Sequence, residues 1–193
     1  MSAGIAVFIS GRGSNLLSIL ESCKDPSYPA HVALVLSNRP DATGLDIAKQ
    51  YGVPTEVVEH AAYKNRDDFD EDINQRLMEY KIDLIALAGF MRVLGPAFVE
   101  QWSGRILNIH PSLLPKYKGL NPQKRALENG ETQSGCSVHF VVPDVDSGAV
   151  IAQRCVPILA GDTPETLSER ILEEEHILYP QAIRRVVQSL SGS

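Results

Sequence analysis

The first 110 residues alternate between short apolar runs and segments in which apolar positions recur at helical spacing. Five runs have the length of buried strands, and they are residues 5–9, 32–36, 55–58, 83–88 and 105–109. Four segments between them have a helical period, and they are residues 16–20, 42–51, 67–80 and 96–102. Strands that alternate with helices in this way are typical of a doubly wound α/β fold with a parallel sheet.

The pattern changes after residue 110. A loop punctuated by Pro and Gly covers residues 110–120, and a short helix follows at residues 121–129. Two more apolar runs, at residues 134–142 and 150–156, are joined by a turn-rich segment and predict an antiparallel hairpin.

A long helix ends the chain. Thr163 is expected to cap its first turn, and Pro180 is expected to kink or split it. Since no linker or internal repeat interrupts the chain, we predict one domain over residues 1–193. Its central sheet is expected to have about seven mostly parallel strands, followed by the hairpin and the long C-terminal helix.

Composition narrows the class of protein. The 193 residues carry a formal net charge of −6, and they are 44% hydrophobic and 22% charged, which is typical of a globular fold. We expect no nucleic-acid partner, because domains that bind nucleic acid are usually basic. We also expect no membrane partner, because no apolar run approaches the roughly 20 residues of a membrane span.

The N-terminus and the cysteines bear on the compartment. Residues 1–4 lack the basic segment of a secretory signal peptide. Cys23, Cys136 and Cys155 are an odd number and form no CxxC motif, so neither a disulfide framework nor a zinc knuckle is indicated. We therefore expect a soluble protein of the reducing cytoplasm.

The segment GRGSN at residues 11–15 lies between the first strand and the first helix. The N–H groups of a helix start can bind an anion, and Ser14 and Asn15 add polar side chains. The same composition also suits an ordinary tight turn that Ser14 or Asn15 caps. Because Leu16 stands where a dinucleotide fingerprint has its third glycine, a single phosphate fits this segment better than NAD.

Asn108 and His110 end the fifth predicted strand. Because they are two residues apart, their side chains are expected to point to the same face. Ligands of open α/β sheets bind outside the carboxyl ends of the strands, and an amide beside an imidazole can stabilise an oxyanion there. The alternative is a polar strand end at which His110 only caps a loop.

Asp146 lies in the turn of the predicted hairpin, where Asp and Gly are common for backbone reasons alone. If its carboxylate faces His110, it favours the protonated imidazole. His139 shares a strand face with Ser137, and it either joins this polar group or is a structural histidine. No spacing of His, Cys, Asp or Glu indicates a metal site, so none is expected.

Five short segments stand in the same order as in a known enzyme family, and they are GSNL at residues 13–16, AGFMRVL at 88–94, NIHPSLLP at 108–115, SVHF at 137–140 and DSG at 146–148. From its first strand to Glu175, the chain resembles the phosphoribosylglycinamide formyltransferases. NIHPSLLP is common to folate-dependent formyltransferases, whereas GSNL and the short acidic chain favour this branch.

The resemblance implies that a formyl group passes from 10-formyltetrahydrofolate, the co-substrate, to the amine of glycinamide ribonucleotide in purine biosynthesis. It implies that Asn108 and His110 stabilise a tetrahedral intermediate, and that Asp146 keeps His110 protonated. The phosphate and ribose would be bound by Gly13, Ser14, Asn15 and Glu175. Folate would be bound by Arg66, Met91, Arg92, Val93, Leu94, Asn108, Val142, Pro143, Asp144, Val145 and Asp146.

The resemblance has further implications for the arrangement of the chain. Residues 1–104 would form the phosphate-binding half, and residues 105–193 the folate and catalytic half. A cis peptide is expected before Pro115. The chain departs from the usual family pattern at Lys118, at residues 121–123 and at Pro143.

Other functions stay open at this point. A methionyl-tRNA formyltransferase shares the loop after Asn108 but normally has a basic C-terminal domain. A 10-formyltetrahydrofolate hydrolase uses water as the acceptor and usually has an additional N-terminal domain. A nucleotide-binding module without catalysis would have no use for Asn108, His110 and Asp146 together. The sequence is compatible with a monomer and with a homodimer.

Overall fold

The computed structural model describes residues 2–191. In chain order the elements are β1 (Ala3–Ile9), α1 (Ser14–Ser22), β2 (Ala30–Ser37), α2 (Gly44–Gln50), β3 (Thr55–Val57), α3 (Arg66–Met78), β4 (Leu84–Leu87), α4 (Pro96–Gln101), β5 (Ile106–His110), α5 (Pro122–Glu128), β6 (Gln133–Phe140), β7 (Val150–Pro157) and α6 (Pro164–Ser191). The predicted domain limits at residues 1 and 193 lie outside the described residues.

The strands form one seven-stranded sheet in the order β3-β2-β1-β4-β5-β6-β7. The first five strands are parallel, whereas β6 runs antiparallel to β5 and β7 antiparallel to β6. The predicted fold class and hairpin are therefore confirmed. The chain winds outward from β1 to β3 and then returns to β4, so the order reverses between β1 and β4, where ligands of such sheets bind.

Helices cover both faces of the sheet. On one face, α1, α2 and α6 pack against Ile5 and Ile9 of β1. On the other face, α3 and α4 pack against Ala6 and Phe8. Because β1 is covered on both faces, its apolar residues form a continuous run in the sequence instead of an alternating one.

Of the two outcomes predicted at Pro180, a kink or a split, the split does not occur, because α6 continues from Pro164 to Ser191 with the proline inside it. The kink stays a prediction. Tyr179 and Ile183, on either side of the proline, are fully buried, and their packing offsets the backbone hydrogen bond that proline cannot make. Thr163 caps the helix as predicted, since its Oγ1 accepts a hydrogen bond from the N–H of Thr166.

Helix α6 also crosses the middle of the sheet. The Tyr179 hydroxyl lies 2.9 Å from the carbonyl oxygen of Leu87 and 3.1 Å from that of Leu107, at β4 and β5. This contact holds α6 close to the strands on which the candidate site is built. No helix among residues 2–191 has both the length and the apolar character needed to cross a lipid bilayer.

Candidate active site

The candidate site is built where neighbouring strands end. Phe8 of β1 pairs with Leu87 of β4, Leu87 pairs with Asn108 of β5, and Asn108 pairs with His139 of β6. This row places the segment that follows β1, the loop that follows β4 and the polar end of β5 next to one another.

The glycine loop, residues 11–15, contains the start of α1. Helix α1 begins at Ser14, and its first hydrogen bond runs from the Leu17 N–H to the Gly13 carbonyl. The N–H groups of the first turn lie before this bond and can meet an anion. Neither Ser14 nor Asn15 is the N-cap, because Gly13 takes that position and α1 has no side-chain cap within residues 2–191.

Gly13 has a conformation that favours glycine, with φ at 75°. A Cβ atom at this position would lie 2.6 Å from the Cα of Gly44, which is the first residue of α2. The backbone of the glycine loop therefore lies directly against α2, with no room for a side chain between them.

Asn15 and Glu175 meet although 160 residues separate them. The Asn15 Nδ2 donates a 2.7 Å hydrogen bond to Oε2 of Glu175, and both residues are buried. Burial raises the pKa of the Glu175 carboxyl, and the hydrogen bond from Asn15 only partly opposes it. The structure thus brings together the residues to which the resemblance assigned phosphate and ribose.

Asn15 also has a buried hydrogen-bond acceptor without a donor. Its Oδ1 makes no hydrogen bond with residues 2–191 and is shielded from solvent. A buried acceptor without a partner is costly, so its presence beside Glu175 indicates that a ligand hydroxyl or amine belongs there.

His110 lies between two acceptors. Its Nε2 is 2.9 Å from the carbonyl oxygen of Tyr117, and its Nδ1 is 3.3 Å from Oδ2 of Asp146. Because a carbonyl and a carboxylate only accept hydrogen bonds, a ring with a proton on each nitrogen satisfies both. His110 is 7% exposed, so this pairing is shielded from water.

Asp146 reaches the sheet from the β6–β7 loop, residues 141–149. Its φ is 48°, and its Oδ2 accepts a 2.9 Å hydrogen bond from the N–H of Gly119. Burial alone would raise the pKa of Asp146, but the contacts with His139, Gly119 and His110 together outweigh it and hold this pKa below its usual range. The carboxylate is therefore ionised at neutral pH.

His139 completes the polar cluster, which we define as Asn108, His110, His139 and Asp146. The Nε2 of His139 lies 3.2 Å from Nδ2 of Asn108 and 3.4 Å from Oδ1 of Asp146. Its Nδ1 lies 2.8 Å from the carbonyl of Phe140 and must carry the proton there. The sequence left this residue undecided, and the pairing of Asn108 with His139 across the two strands is what brings it into the cluster.

The β4–α4 loop, residues 88–95, is held at its centre and at its last residue by buried side chains. The N–H of Met91 donates to Oγ of Ser10 at 2.7 Å, and the N–H of Gly95 donates to Oδ2 of Asp70 at 2.6 Å. Burial raises the pKa of Asp70, although the Gly95 N–H opposes it. Sequence reasoning did not single out Ser10 or Asp70, because each looks like the end of a strand or a helix position.

Apart from Asn108 on β5, the residues to which the resemblance assigned folate lie on two loops and one helix start. Arg66 begins α3 and lies beside Gly95, because its Cδ is 3.3 Å from where a Cβ of Gly95 would be. Met91, Val93 and Val145 have exposed side chains. The other residues of this set in the two loops are Arg92, Leu94, Val142, Pro143 and Asp144.

Two further features of this region are settled by the geometry. The peptide bond between Leu114 and Pro115 is cis, as expected. The Nζ of Lys118, one of the departures from the family pattern, lies 2.8 Å from Oγ of Ser147.

Residues 2–191 contain no group of three or more His, Cys, Asp or Glu arranged to hold a metal, and the absence of a metal from the reaction stays a prediction.

Known proteins match nearly the whole chain. A family model described as formyl transferase covers residues 3–183. The phosphoribosylglycinamide formyltransferase of Escherichia coli K12 is 46% identical over 179 residues, which are 93% of this chain and 84% of that protein. The chain belongs to the phosphoribosylglycinamide formyltransferase branch of the formyl transferase family. The predicted family and the prediction that the chain is an enzyme are thereby confirmed.

Solved structures of this family share the fold. The crystal structure of glycinamide ribonucleotide transformylase 1 from Symbiobacterium toebii is 47% identical, with a TM-score of 0.95 over 97% of this chain and 89% of that one. The human trifunctional purine biosynthetic protein adenosine-3 is 50% identical over 184 residues, but the chain spans only 18% of its length. The roles of individual residues stay predictions.

Proposed function

We propose that this chain transfers the formyl group of 10-formyltetrahydrofolate to the amine of glycinamide ribonucleotide in purine biosynthesis. The observation that carries the proposal is the polar cluster, in which an amide, two imidazoles and a carboxylate meet on one face of the sheet. Such a set can stabilise charge on a carbonyl oxygen and deliver a proton, which are the two tasks of acyl transfer to an amine.

The glycine loop and Glu175 suit the ribonucleotide. The N–H groups of the first turn of α1 bind the phosphate, because they and the helix dipole favour negative charge. The Oδ1 of Asn15 and the carboxylate of Glu175 accept hydrogen bonds from the ribose hydroxyls. In this arrangement, Asn15 binds through both its backbone and its side chain.

The two loops beside the polar cluster suit the folate. Met91 and Val145 offer exposed apolar surface to a flat heterocycle, and Arg66 and Arg92 offer cationic groups to the carboxylates of the glutamate tail. When bound, 10-formyltetrahydrofolate supplies the formyl group and leaves as tetrahydrofolate. The residues present therefore fit both an apolar ring system and an anionic tail.

The polar cluster divides the chemical work among its members. The Nδ2 of Asn108 and the Nε2 of a protonated His110 donate hydrogen bonds to the oxygen on which negative charge develops when an amine adds to a formyl carbon. In this step the substrate oxygen replaces Asp146 Oδ1 as a partner of Asn108 and the Tyr117 carbonyl as the partner of His110 Nε2. His110 then gives a proton to the leaving nitrogen as general acid, and the proton that the attacking amine nitrogen loses restores the charged ring. Asp146 keeps His110 charged and oriented through its Oδ2. Since the substrate amine attacks directly, the chain needs no nucleophile of its own.

One assay tests this function against the alternatives. The chain is mixed with 10-formyltetrahydrofolate and, in parallel, with glycinamide ribonucleotide, methionyl-tRNA or water alone, and the release of tetrahydrofolate is followed. Release that requires glycinamide ribonucleotide supports the proposal. Release with water alone would instead identify a hydrolase, and release with methionyl-tRNA a tRNA-modifying enzyme. No release with any acceptor, despite ligand binding, would identify a binding module.

A further inference from the structure

The β4–α4 loop combines an exposed side chain with a fixed backbone. The side chain of Met91 is 75% exposed, yet its N–H donates a 2.7 Å hydrogen bond to Oγ of Ser10, which is only 6% exposed. A loop tip of this kind is normally mobile, because surface loops have few buried contacts. Here a buried hydroxyl holds the backbone at the centre of the loop.

The direction of the hydrogen bonds around Ser10 is determined. The Ser10 hydroxyl has a single proton, and it donates this proton to Oδ1 of Asn38 at 2.5 Å. Its lone pairs are therefore free to accept from Met91. Asn38 is 3% exposed and is itself oriented by a 3.3 Å contact between its Nδ2 and Nδ1 of His60. The chain Met91–Ser10–Asn38–His60 thus has one consistent set of donors and acceptors.

Ser10 also determines where the glycine loop begins. It follows β1 directly and precedes Gly11, whose carbonyl accepts a 3.0 Å hydrogen bond from the N–H of Gly44. The same residue is therefore attached covalently to the loop proposed for the phosphate and by a hydrogen bond to the loop proposed for the folate. A displacement of either loop moves the Ser10 hydroxyl away from Met91 or from Asn38.

We propose that Ser10 is a positioning residue that holds the β4–α4 loop in the conformation that binds folate, next to the ribonucleotide loop. This inference rests on the proposed function. When only a fraction of the molecules has the binding-competent loop, the apparent dissociation constant rises by the inverse of that fraction. Ser10 raises this fraction, because replacing it would remove the partner of the Met91 N–H and leave the buried Oδ1 of Asn38 without a donor.

Steady-state kinetics give the first test. Ser10→Ala should raise the KM for 10-formyltetrahydrofolate about 10-fold while the KM for glycinamide ribonucleotide changes less than about 2-fold. Ser134→Ala is the matched control, since Ser134 is 4% exposed and lies at the other end of β6, about 17 Å along the strand from His139. Equal effects of the two variants on the folate KM would overturn the proposal.

Amide hydrogen exchange gives a second test that needs no substrate. In the wild type, the Met91 N–H should be protected from exchange despite its position at a loop tip. Ser10→Ala should increase its exchange rate at least about 10-fold, whereas Ser134→Ala should not. Unchanged Met91 exchange in Ser10→Ala overturns the proposal, even if the kinetics change. If the wild-type chain shows no formyl transfer, the proposed function is refuted. The exchange result would still show whether Ser10 fixes the backbone of the β4–α4 loop.

Discussion

The glycine loop and the polar cluster present their hydrogen-bonding groups by opposite means. The glycine loop offers backbone N–H groups at a helix start, and the space a side chain would need at Gly13 is taken by Gly44. The polar cluster offers side chains alone, brought from two strands and a loop onto one face of the sheet. The geometry of the glycine loop therefore depends on the absence of a Cβ atom at Gly13. The geometry of the polar cluster depends on which side chains are present.

This difference determines how each region responds to substitution. A backbone site tolerates the loss of side-chain atoms but not the addition of a Cβ, because its donors belong to the main chain. A buried side-chain cluster tolerates neither, because each member leaves a partner unsatisfied when it is removed. The two regions should therefore fail under different mutations and at different steps of the reaction.

The largest effect is expected in the polar cluster. His110→Ala and Asp146→Asn should each lower kcat by about 10²–10⁴, because they remove the proposed general acid or the group proposed to orient and charge it. The dissociation constant of glycinamide ribonucleotide, measured by calorimetry, should stay within about 3-fold of the wild-type value, since neither change touches the glycine loop.

A histidine outside the cluster provides the control for these variants. His31 is exposed on β2, where its Nδ1 lies 3.2 Å from the Ser2 hydroxyl, and His31→Ala should leave kcat unchanged. Normal kcat in both cluster variants would contradict the proposed chemistry. A loss of ribonucleotide binding equal to the loss of kcat would contradict the separation of the two regions.

The next largest effect is expected at Gly13. Gly13→Ala places a Cβ 2.6 Å from the Cα of Gly44 on a residue with φ of 75°. It should lower the free energy of unfolding by about 2–4 kcal/mol and raise the KM for glycinamide ribonucleotide at least about 10-fold, with a smaller change in the folate KM. Chemical denaturation and kinetics measure the two effects.

Gly130→Ala separates backbone strain from steric conflict. Gly130 has a similar φ of 66°, but a Cβ there has no described atom within 4 Å. It should cost only the left-handed conformation, about 1–2 kcal/mol, with no change in either KM. If the two alanine variants behaved alike, the contact with Gly44 would have no role in the site.

Most of the fold could be predicted from the sequence because buried strands and amphipathic helices leave a local pattern. The run at residues 83–88 predicted β4, and the alternation of strand and helix predicted the parallel sheet. The split that was one of the two outcomes predicted at Pro180 does not occur, because the penalty of a proline is local whereas the burial of Tyr179 and Ile183 depends on the tertiary structure. Rules based on local propensity do not include the free energy gained by this burial.

The site was less accessible from the residues alone. The two-residue spacing of Asn108 and His110 gave their shared face, but no local pattern shows that Asn108 pairs with His139 or that Asn15 meets Glu175. These contacts depend on strand register and on where α6 crosses the sheet. Ser10 was overlooked for the same reason, since its partner Met91 lies 81 residues away.

A third prediction concerns pH. The pKa of Glu175, beside the glycine loop, is raised, whereas the pKa of Asp146, in the polar cluster, is lowered. The pKa of Glu175 is raised above 4.5, so its ionised form costs stability once the pH exceeds the folded-state pKa. Glu175→Gln should therefore raise the Tm by a few degrees at pH 7 and leave it nearly unchanged near pH 4. It should also weaken ribonucleotide binding about 10-fold, because a neutral amide is the weaker acceptor.

Asp146→Asn should show the opposite dependence. The pKa of Asp146 is lowered from 3.8, so its carboxylate adds stability above that pH, and the contribution is lost as the pH falls through the folded-state value. The variant should melt below the wild type at pH 7, and the difference should shrink as the pH falls below 3.8 and through the folded-state pKa. Thermal melts of both variants over this range test the pair, and changes of the same sign at pH 7 would contradict the contrast.

The smallest effect is expected at an exposed side-chain contact next to the polar cluster. The Nζ of Lys118 reaches Oγ of Ser147, the neighbour of Asp146, but both groups are exposed. An exposed contact is largely replaced by water, so Lys118→Ala should change the Tm by less than about 2 °C and either KM by less than about 3-fold. If kcat instead fell as far as in Asp146→Asn, the side chains that matter would extend beyond the buried cluster. Burial would then no longer distinguish the chemistry of this site from its surface.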